Sequence, residues 1–160
     1  MTVRLARPDE LGLVGRLTFD GYAHDGHVDA ENGYAEELLD AAGRADDAEV
    51  LVAEHGGRVV GTVTFCPPGS ALRELSKDGE GEFRMLAVDP SSRGVGAARA
   101  LVSWCFDRCR ELGLNEVVLC SMTQMVSAHQ LYANFGFVRD QSLDWEPQPG
   151  VVLWGFRAAV

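Results

Sequence analysis

The chain has 160 residues, of which 46% are hydrophobic and 24% are charged, a composition typical of a globular domain with a full core. We therefore expect a single domain over residues 1–160. Acidic residues outnumber basic ones by 24 to 14, and the net charge of −10 argues against general nucleic-acid binding, which requires a basic surface. No apolar run approaches the ~18 residues of a membrane-spanning helix. The first residues also lack the apolar segment of a secretory signal, so we expect a cytoplasmic protein without a membrane partner.

The first half of the chain predicts a strand, two helices and a hairpin. The predicted elements are a strand at 3–6, a helix after Asp9, a loop at 21–33, a helix at 34–42, and strands at 49–54 and 58–65. Leu11, Val14 and Leu17 recur at helical spacing in the first helix. Gly56-Gly57 lies between the two strands, and a Gly-Gly turn between apolar runs indicates a β-hairpin.

The second half alternates strands and helices after an irregular segment at 66–79. The predicted elements are a strand at 81–89, a helix at 94–112, a strand at 115–121, a helix at 125–135, and strands at 137–139 and 151–156, with a proline-rich loop at 146–150. Gly113 and Gly136 end the two helices. The order β-α-α-β-β-β-α-β-α-β-β predicts an α/β sheet of about seven strands with helices on both faces.

The most informative segment joins the strand at 81–89 to the long helix. The first N–H groups of a helix have no intrahelical acceptor, and the helix dipole is positive there. Because Gly94 and Gly96 carry no side chain, an anion can approach this backbone closely. The segment predicts a phosphate or pyrophosphate site, although a glycine pair can also mark close helix–sheet packing. It is neither a P-loop nor a dinucleotide fingerprint, because it lacks their residue patterns.

Two motifs in this region resemble signatures of the GNAT superfamily of N-acetyltransferases. Arg93, Gly96 and Ala98 fit the coenzyme A turn Gln/Arg-x-x-Gly-x-Gly/Ala, and Leu86-x-Val88-x-Pro90 precedes it. Residues 128–137 resemble the second signature, Ala-x-x-Leu-Tyr-x-x-x-Gly-Phe, at the expected separation. The resemblance implies a GNAT fold with a mixed, mostly antiparallel sheet. It also implies acetyl-CoA as the acyl donor, with no metal.

The resemblance assigns the donor site residue by residue. The implied coenzyme-binding residues are Leu86, Ala87, Val88, Arg93, Gly94, Val95, Gly96, Ala97 and Ala98. In the superfamily the strand before the turn splays from its neighbour and the pantetheine arm fills the gap, so the resemblance implies that the backbone groups of Leu86 and Val88 hydrogen-bond the arm. An N–H near Leu86 would then face the thioester carbonyl, and the N–H groups of residues 94–98 would bind the pyrophosphate. Arg93 either adds charge to the phosphates or is solvated. Met125 stands where many relatives have an asparagine, so a coenzyme contact made by that asparagine is not carried over to this chain.

Two catalytic residues are implied as well. Tyr132 is the expected general acid, which protonates the departing thiolate of coenzyme A. The alternative is a tyrosine whose ring packs on the sheet while its hydroxyl bonds elsewhere. Glu82 is the candidate base, directly or through a water, because histone-acetylating members carry a glutamate six residues before the position of Val88. The alternatives are a solvated carboxylate paired with Arg84 or a lysine, and ordered water as the base.

The acceptor is expected to be a primary amine on a small cationic molecule, since an acidic chain favours a cation. The loops at 21–33 and 66–79 are expected to wall its pocket, and Trp145 and Trp154 are assigned to the core or to that wall. A protein or peptide acceptor, or a non-catalytic coenzyme A sensor, remains open. A homodimer is possible through an apolar edge strand at 151–156.

Metal binding is not predicted. Cys66, Cys105, Cys109 and Cys120 form no CxxC pair and have no histidine at ligand spacing, so we expect free, mostly buried thiols. The loop at 21–33 contains His24 and His27 with Asp20, Asp25 and Asp29 nearby, in a spacing that matches no known metal site. His129 receives no assignment.

Overall fold

The computed structural model describes residues 1–28 and 33–160. The elements are β1 (Thr2–Leu5), α1 (Leu11–His24), α2 (Tyr34–Leu39), α3 (Ala41–Asp47), β2 (Glu49–His55), β3 (Arg58–Cys66), β4 (Glu80–Val88), α4 (Ala97–Glu111), β5 (Glu116–Met122), α5 (Val126–Asn134), β6 (Val138–Arg139), β7 (Trp145–Gln148) and β8 (Val151–Ala159). Short 3-10 turns lie at Pro8–Glu10, Pro90–Ser92 and Gln141–Leu143.

The described strands form one sheet of eight, in the order β1-β2-β3-β4-β5-β8-β6, with β7 also paired to β8. Only the pairing of β4 with β5 is parallel among these strands. The mixed, mostly antiparallel α/β sheet is therefore confirmed. The sheet has one strand more than expected, because the predicted loop at 146–150 contributes β7.

Helices cover both faces of the sheet, and the alternation of side chains along β2 shows why. Leu51 and Ala53 belong to a buried cluster with Leu101 of α4. Val50 and Val52 point the other way and pack with Val14 of α1. Because successive side chains of a strand face opposite sides of a sheet, α4 and α1 lie on opposite faces.

Three helix boundaries differ from the prediction, each for a local reason. The helix expected at 34–42 is two helices, because Asp40 adopts a non-helical ψ of 63° and its carboxylate accepts the Gly43 N–H at 3.0 Å. α1 continues to His24, since Gly21 is a helical residue that permits close packing against β4. α4 begins at Ala97 rather than residue 94, because Gly94 and Gly96 have φ of 86° and 89°. Of the predicted loop at 21–33, residues 29–32, with Asp29, lie outside the described residues.

The strand predicted at 151–156 is not an edge strand. β8 is paired to β5 on one side and to β6 and β7 on the other. β7 folds back through Gly150, whose φ is 86°. The expectation of a free edge at this strand was therefore wrong, and the homodimer itself stays a prediction.

The four cysteines form no disulfide within the described residues. Cys66, Cys105 and Cys109 are buried and Cys120 is half-buried, and all four are free thiols, as predicted. In the described ranges, no three His, Cys, Asp or Glu side chains come together in a metal-binding arrangement. Within those same ranges, no helix is long and apolar enough to cross a membrane.

Candidate active site

The site begins where two parallel strands separate. β4 and β5 are paired only at Glu80–Glu82, opposite Glu116–Val118. Beyond this point β4 continues to Val88 without pairing to β5, while β5 remains paired to β8. A gap therefore opens along one side of the second half of β4.

A bulge in β4 marks the start of the gap. The register between β3 and β4 shifts between Thr62 and Thr64, leaving an extra residue on β4. Met85 in this bulge has φ of 55° and is the one non-glycine residue of the described chain with a positive φ. A backbone held in this region costs about 1–3 kcal/mol and persists only where surrounding contacts fix it. The bulge sets which groups of the following residues face the gap.

The backbone beyond the bulge presents hydrogen-bonding groups to the gap. The Asp89 N–H donates to the Val60 carbonyl at 2.8 Å, so the polar groups of Asp89 and Ala87 face β3. Because these groups alternate along a strand, those of Leu86 and Val88 face the gap. These are the two residues that the resemblance assigned to the pantetheine arm.

The glycine turn leaves a second set of backbone donors open. The first intrahelical bond of α4 runs from the Ala100 N–H to the Gly96 carbonyl at 3.0 Å, so the N–H groups before it have no helical acceptor. At Gly94 and Gly96 a side chain would project into open space. The turn therefore has room for an anion beside unpaired N–H donors.

A cleft of about 700 Å³ connects the gap and the turn. Eight of the nine predicted coenzyme residues line it: Leu86, Ala87, Val88, Arg93, Gly94, Gly96, Ala97 and Ala98. Val95 does not, and it is 40% exposed to solvent. Arg99, Tyr22 and the residues on either side of Met125 also line the cleft, and neither motif pointed to them; Met125 itself lines the cleft as well. Arg99 directly follows the turn motif, so its position was a signal that could have found it.

Arg93 has a role that neither sequence interpretation foresaw. Its guanidinium donates to the Asp25 carboxylate at 2.8 Å and to the Gly21 carbonyl at 3.3 Å. The hydrogen bond from Arg93 holds the pKa of Asp25 below its usual range. Arg93 thus joins the glycine turn to the end of α1, while still lining the cleft.

A second cavity of about 440 Å³ adjoins the cleft. The two share Tyr22, His27, Gln124 and Met125, and the bulge lies between them, since Met85 lines the cavity and Leu86 lines the cleft. Its charged walls are Glu37, Glu74 and Arg84, and its aromatic walls are Tyr22, Tyr34 and Trp145. His27 and Glu74 come from the two predicted wall segments, 21–33 and 66–79.

The charged groups of this cavity are partly desolvated. The Arg84 guanidinium lies 2.8 Å from the Glu74 carboxylate, and the two side chains are 19% and 27% exposed. Burial raises the pKa of Glu74. Burial also raises the pKa of Tyr34 to about 12, so its phenol stays neutral at physiological pH.

Glu82 lies behind the wall rather than in it. The side chain is 2% exposed and lines neither the cleft nor the second cavity. Its carboxylate accepts the N–H groups of Glu74 at 3.2 Å, Leu75 at 3.0 Å and Ser76 at 2.9 Å. The structure therefore places the candidate base as an anchor for the β3–β4 connection.

Tyr132 is packed on the sheet side of α5. Its ring lies 5.9 Å from that of Phe83, 5.6 Å from Phe137 and 6.0 Å from Phe156, between centroids. Burial raises the pKa of the phenol. The Tyr132 side chain is 5% exposed and, like Glu82, lines neither the cleft nor the second cavity, although Ala128 and Leu131 of the same helix line the cleft.

His129 also has a structural environment. One ring nitrogen lies 3.1 Å from both the Ser121 hydroxyl and the Met122 carbonyl. The ring lies 5.8 Å from that of Trp154 and 5.1 Å from that of Phe156, between centroids. Burial lowers the pKa of His129, which favours its neutral form.

Comparison with known proteins identifies the relatives of this chain. Residues 18–137 match the model of the Acetyltransferase (GNAT) family. A 96-residue segment is 34% identical to the mycothiol acetyltransferase of Cellulomonas flavigena, covering 59% of this chain and 28% of that protein. An 89-residue segment is 38% identical to N-acetyltransferase 8B of Rattus norvegicus, covering 54% of this chain and 37% of that protein. The matched part of the chain thus spans about a third of the length of these curated relatives.

Solved structures share the fold over its whole extent. The PaiA N-acetyltransferase of Thermoplasma acidophilum, in complex with coenzyme A, superposes with a TM-score of 0.77 at 13% identity, over 99% of this chain and 98% of that one. The ribosomal-protein-alanine N-acetyltransferase of Brucella melitensis superposes with a TM-score of 0.69 at 20% identity, over 100% of both chains. With the family model matching most of its length, the chain belongs to the acetyltransferase (GNAT) family.

Proposed function

We propose that this protein transfers the acetyl group of acetyl-CoA to the primary amine of a small cationic molecule. The observation that carries this proposal is the meeting of two cavities at the β4 bulge. The first adjoins a glycine turn with unpaired N–H donors, and the second has carboxylate and aromatic walls. Donor and acceptor would meet where Met85 and Leu86 divide them. Membership of an acetyltransferase family supports the same reaction.

The donor side fits acetyl-CoA through backbone groups. N–H groups of residues 94–98, at the positive end of α4, would bind the pyrophosphate. The open space beside Gly94 and Gly96 leaves room for it. The gap-facing groups of Leu86 and Val88 would bind the pantetheine arm as a strand would. Arg99 adds positive charge to the cleft wall.

Acetyl transfer needs stabilisation of an oxyanion and protonation of a thiolate. The Leu86 N–H would donate to the carbonyl oxygen as the amine attacks and negative charge develops there. Tyr132 follows the cleft-lining Leu131 and would protonate the departing sulfur, since catalytic contacts that are long in the free enzyme tighten when the substrate binds. Because burial raises the pKa of Tyr132, the phenol remains protonated and able to donate throughout the physiological range.

Removal of the acceptor's proton is left to ordered water. Three backbone N–H groups donate to the Glu82 carboxylate. The side chain does not line the second cavity, where the acceptor would bind and which we call the acceptor cavity; the first, where acetyl-CoA would bind, is the donor cleft. A base must come within hydrogen-bond reach of the proton that it removes, either directly or through one water. We therefore assign Glu82 to positioning rather than to proton transfer.

A screen of coenzyme A release tests the proposal. Purified protein is mixed with acetyl-CoA and polyamines, aminoglycosides, amino acids or short peptides, and the free thiol is measured. We expect steady turnover, fastest with small cationic amines. Turnover with peptides alone would overturn the small-molecule acceptor and favour a role like that of the Brucella ribosomal-protein enzyme. Binding of coenzyme A without turnover on any amine would favour a sensor instead.

A further inference from the structure

We propose that Glu74 selects the acceptor by binding a second cationic group on it, and that Glu82 acts through Glu74 as a positioning residue. The acceptor would then be a short diamine or polyamine. One amine would react at the β4 bulge while the other binds at Glu74. This inference rests on the proposed acetyl transfer and specifies its acceptor.

The first step is the anchoring of the wall segment. Residues 67–79 connect β3 to β4 without a strand or α-helix of their own, so their partly buried N–H groups need partners outside regular secondary structure. The Glu82 carboxylate supplies them for three successive residues, Glu74, Leu75 and Ser76. Hydrogen bonds to an ionised group are roughly twice as strong as neutral ones. A single buried side chain therefore fixes the backbone from which Glu74 projects.

The second step is the placement of the Glu74 side chain. Its carboxylate meets Arg84 at 2.8 Å in the wall of the acceptor cavity. The Arg84 guanidinium also donates to the Leu72 carbonyl at 3.4 Å, which links it to the same segment. Arg84 lies on β4 directly before Met85. The ion pair with Arg84 therefore connects Glu74 to the residue next to the proposed point of transfer.

The third step is the balance of charge. Burial is the main cause of the raised pKa of Glu74, and the negative charges of Glu82, behind the wall, and of Glu37, which lines the same cavity, add to it. Arg84 opposes them and is the one guanidinium beside the two carboxylates of this wall in the described residues. A second cation on the acceptor would reduce this repulsion between like charges.

The remaining walls suit a cation on an apolar stem. Tyr22, Tyr34 and Trp145 line the cavity, and the face of an aromatic ring attracts an ammonium group within about 6 Å. Met85 adds an apolar contact next to the transfer point. A chain of methylene groups ending in an ammonium matches both features.

The test compares cadaverine with pentylamine, which has the same carbon chain and lacks the second amine. We expect wild-type protein to prefer cadaverine by about tenfold or more in kcat/KM, the scale of a partly desolvated ion pair. Glu74→Gln should bring the ratio close to one and leave the KM for acetyl-CoA unchanged. Glu36→Gln is the matched control, because Glu36 is exposed on α2 and lines neither cavity, and it should keep the wild-type ratio.

A double-mutant cycle tests the positioning role. Glu82→Gln should lower the cadaverine preference as Glu74→Gln does, and the double variant should lose no more than Glu74→Gln alone. Additive losses would contradict positioning through Glu74, since a merely structural role would not depend on it. If Glu82→Gln fails to fold, Glu82→Asp replaces it, and its shortened carboxylate, within reach of fewer of the three N–H groups, should lower the cadaverine preference only when Glu74 is present.

Failure of this inference differs from failure of the proposed function. Equal turnover of the two amines by wild-type protein, or a preference that survives Glu74→Gln, would overturn the selection by Glu74 while acetyl transfer stands. Turnover of other amines in the screen, with neither of these two accepted, would overturn it as well. No thiol release with any amine would overturn the proposed function, and this inference with it.

Discussion

The donor cleft is formed mainly by backbone groups, whereas the acceptor cavity is formed mainly by side chains. The donor cleft depends mainly on backbone groups within one stretch, residues 86–98, whose conformation is fixed by a bulge, a proline and two glycines. The acceptor cavity depends on side chains from α1 and the segment after it, α2, the β3–β4 connection, β4, β5, the β5–α5 connection and the β7–β8 hairpin. Backbone binding therefore tolerates changes of side chain, whereas the acceptor cavity changes whenever any of these elements does.

The largest expected effect comes from blocking the backbone of the donor cleft. Gly96→Val places a branched side chain in the open space where the pyrophosphate would bind. We expect kcat/KM for acetyl-CoA to fall by about 100-fold or more, equal to ~2.7 kcal/mol, with the acceptor KM little changed. Steady-state kinetics and calorimetry with coenzyme A measure the two sides separately.

Gly113→Val is the matched control for that variant. Gly113 has φ of 70°, has open space around the site of a side chain, and lies beyond the other end of α4. Both variants carry the same type of backbone strain, about 1–2 kcal/mol for a side chain in this conformation. If Gly113→Val weakened coenzyme A binding equally, strain rather than a blocked anion site would explain the loss.

A loss of turnover without a loss of binding is expected at Tyr132. Tyr132→Phe keeps the ring among Phe83, Phe137 and Phe156 and removes only the proposed proton donor. We expect kcat to fall by about 100-fold, with unchanged affinity for coenzyme A. Because burial raises the pKa of the phenol, the wild-type rate should not decline near pH 10, where an ordinary tyrosine ionises. Unchanged turnover would remove Tyr132 from the mechanism.

The difference between the donor cleft and the acceptor cavity explains which site residues could be predicted from the sequence. The donor residues lie in one continuous motif, where glycine positions, a strand end and a helix start are local properties. Glu82 was correctly noticed on β4, but its partners are N–H groups six to eight residues earlier, in a connection without periodicity. Only the folded path of that connection shows that the carboxylate is already occupied.

The same limit applies to the elements of the fold. Apolar runs with glycine or proline at their ends located β2, β3, β4 and α4 to within a few residues. Pro147 predicts a loop where the structure has β7, because a proline cannot donate a hydrogen bond to a sheet. All four β7 residues are exposed, and an edge position permits proline, but being an edge is a property of the whole sheet.

A smaller effect is expected at the ion pair that joins the glycine turn of the donor cleft to the end of α1. Asp25→Asn weakens the pairing with Arg93, which joins the glycine turn to α1. Because both side chains are about two-fifths exposed, the loss of unfolding free energy at pH 7 should be only ~0.2–1 kcal/mol. The pKa of Asp25 is lowered in the folded state, so its stabilisation is present above the usual value of 3.8 and is lost as pH falls through the lowered pKa. Urea unfolding of both proteins from pH 7 to pH 3 should therefore show a difference that is constant above pH 5 and narrows toward the acidic end.

The smallest effect is expected at the cysteine of the acceptor cavity. Cys120 lines that cavity, and its position invites a covalent acetyl-thiol intermediate in place of direct attack by the amine. Burial raises the pKa of this thiol to about 11, so only a small fraction is the nucleophilic thiolate at pH 8. We expect Cys120→Ser to keep turnover within about twofold of wild type, and alkylation of Cys120 to accelerate as pH rises toward 11. A variant without turnover, together with an acetylated Cys120 in rapidly quenched wild-type protein, would contradict direct transfer. It would also move the chemistry from the donor backbone to an acceptor side chain.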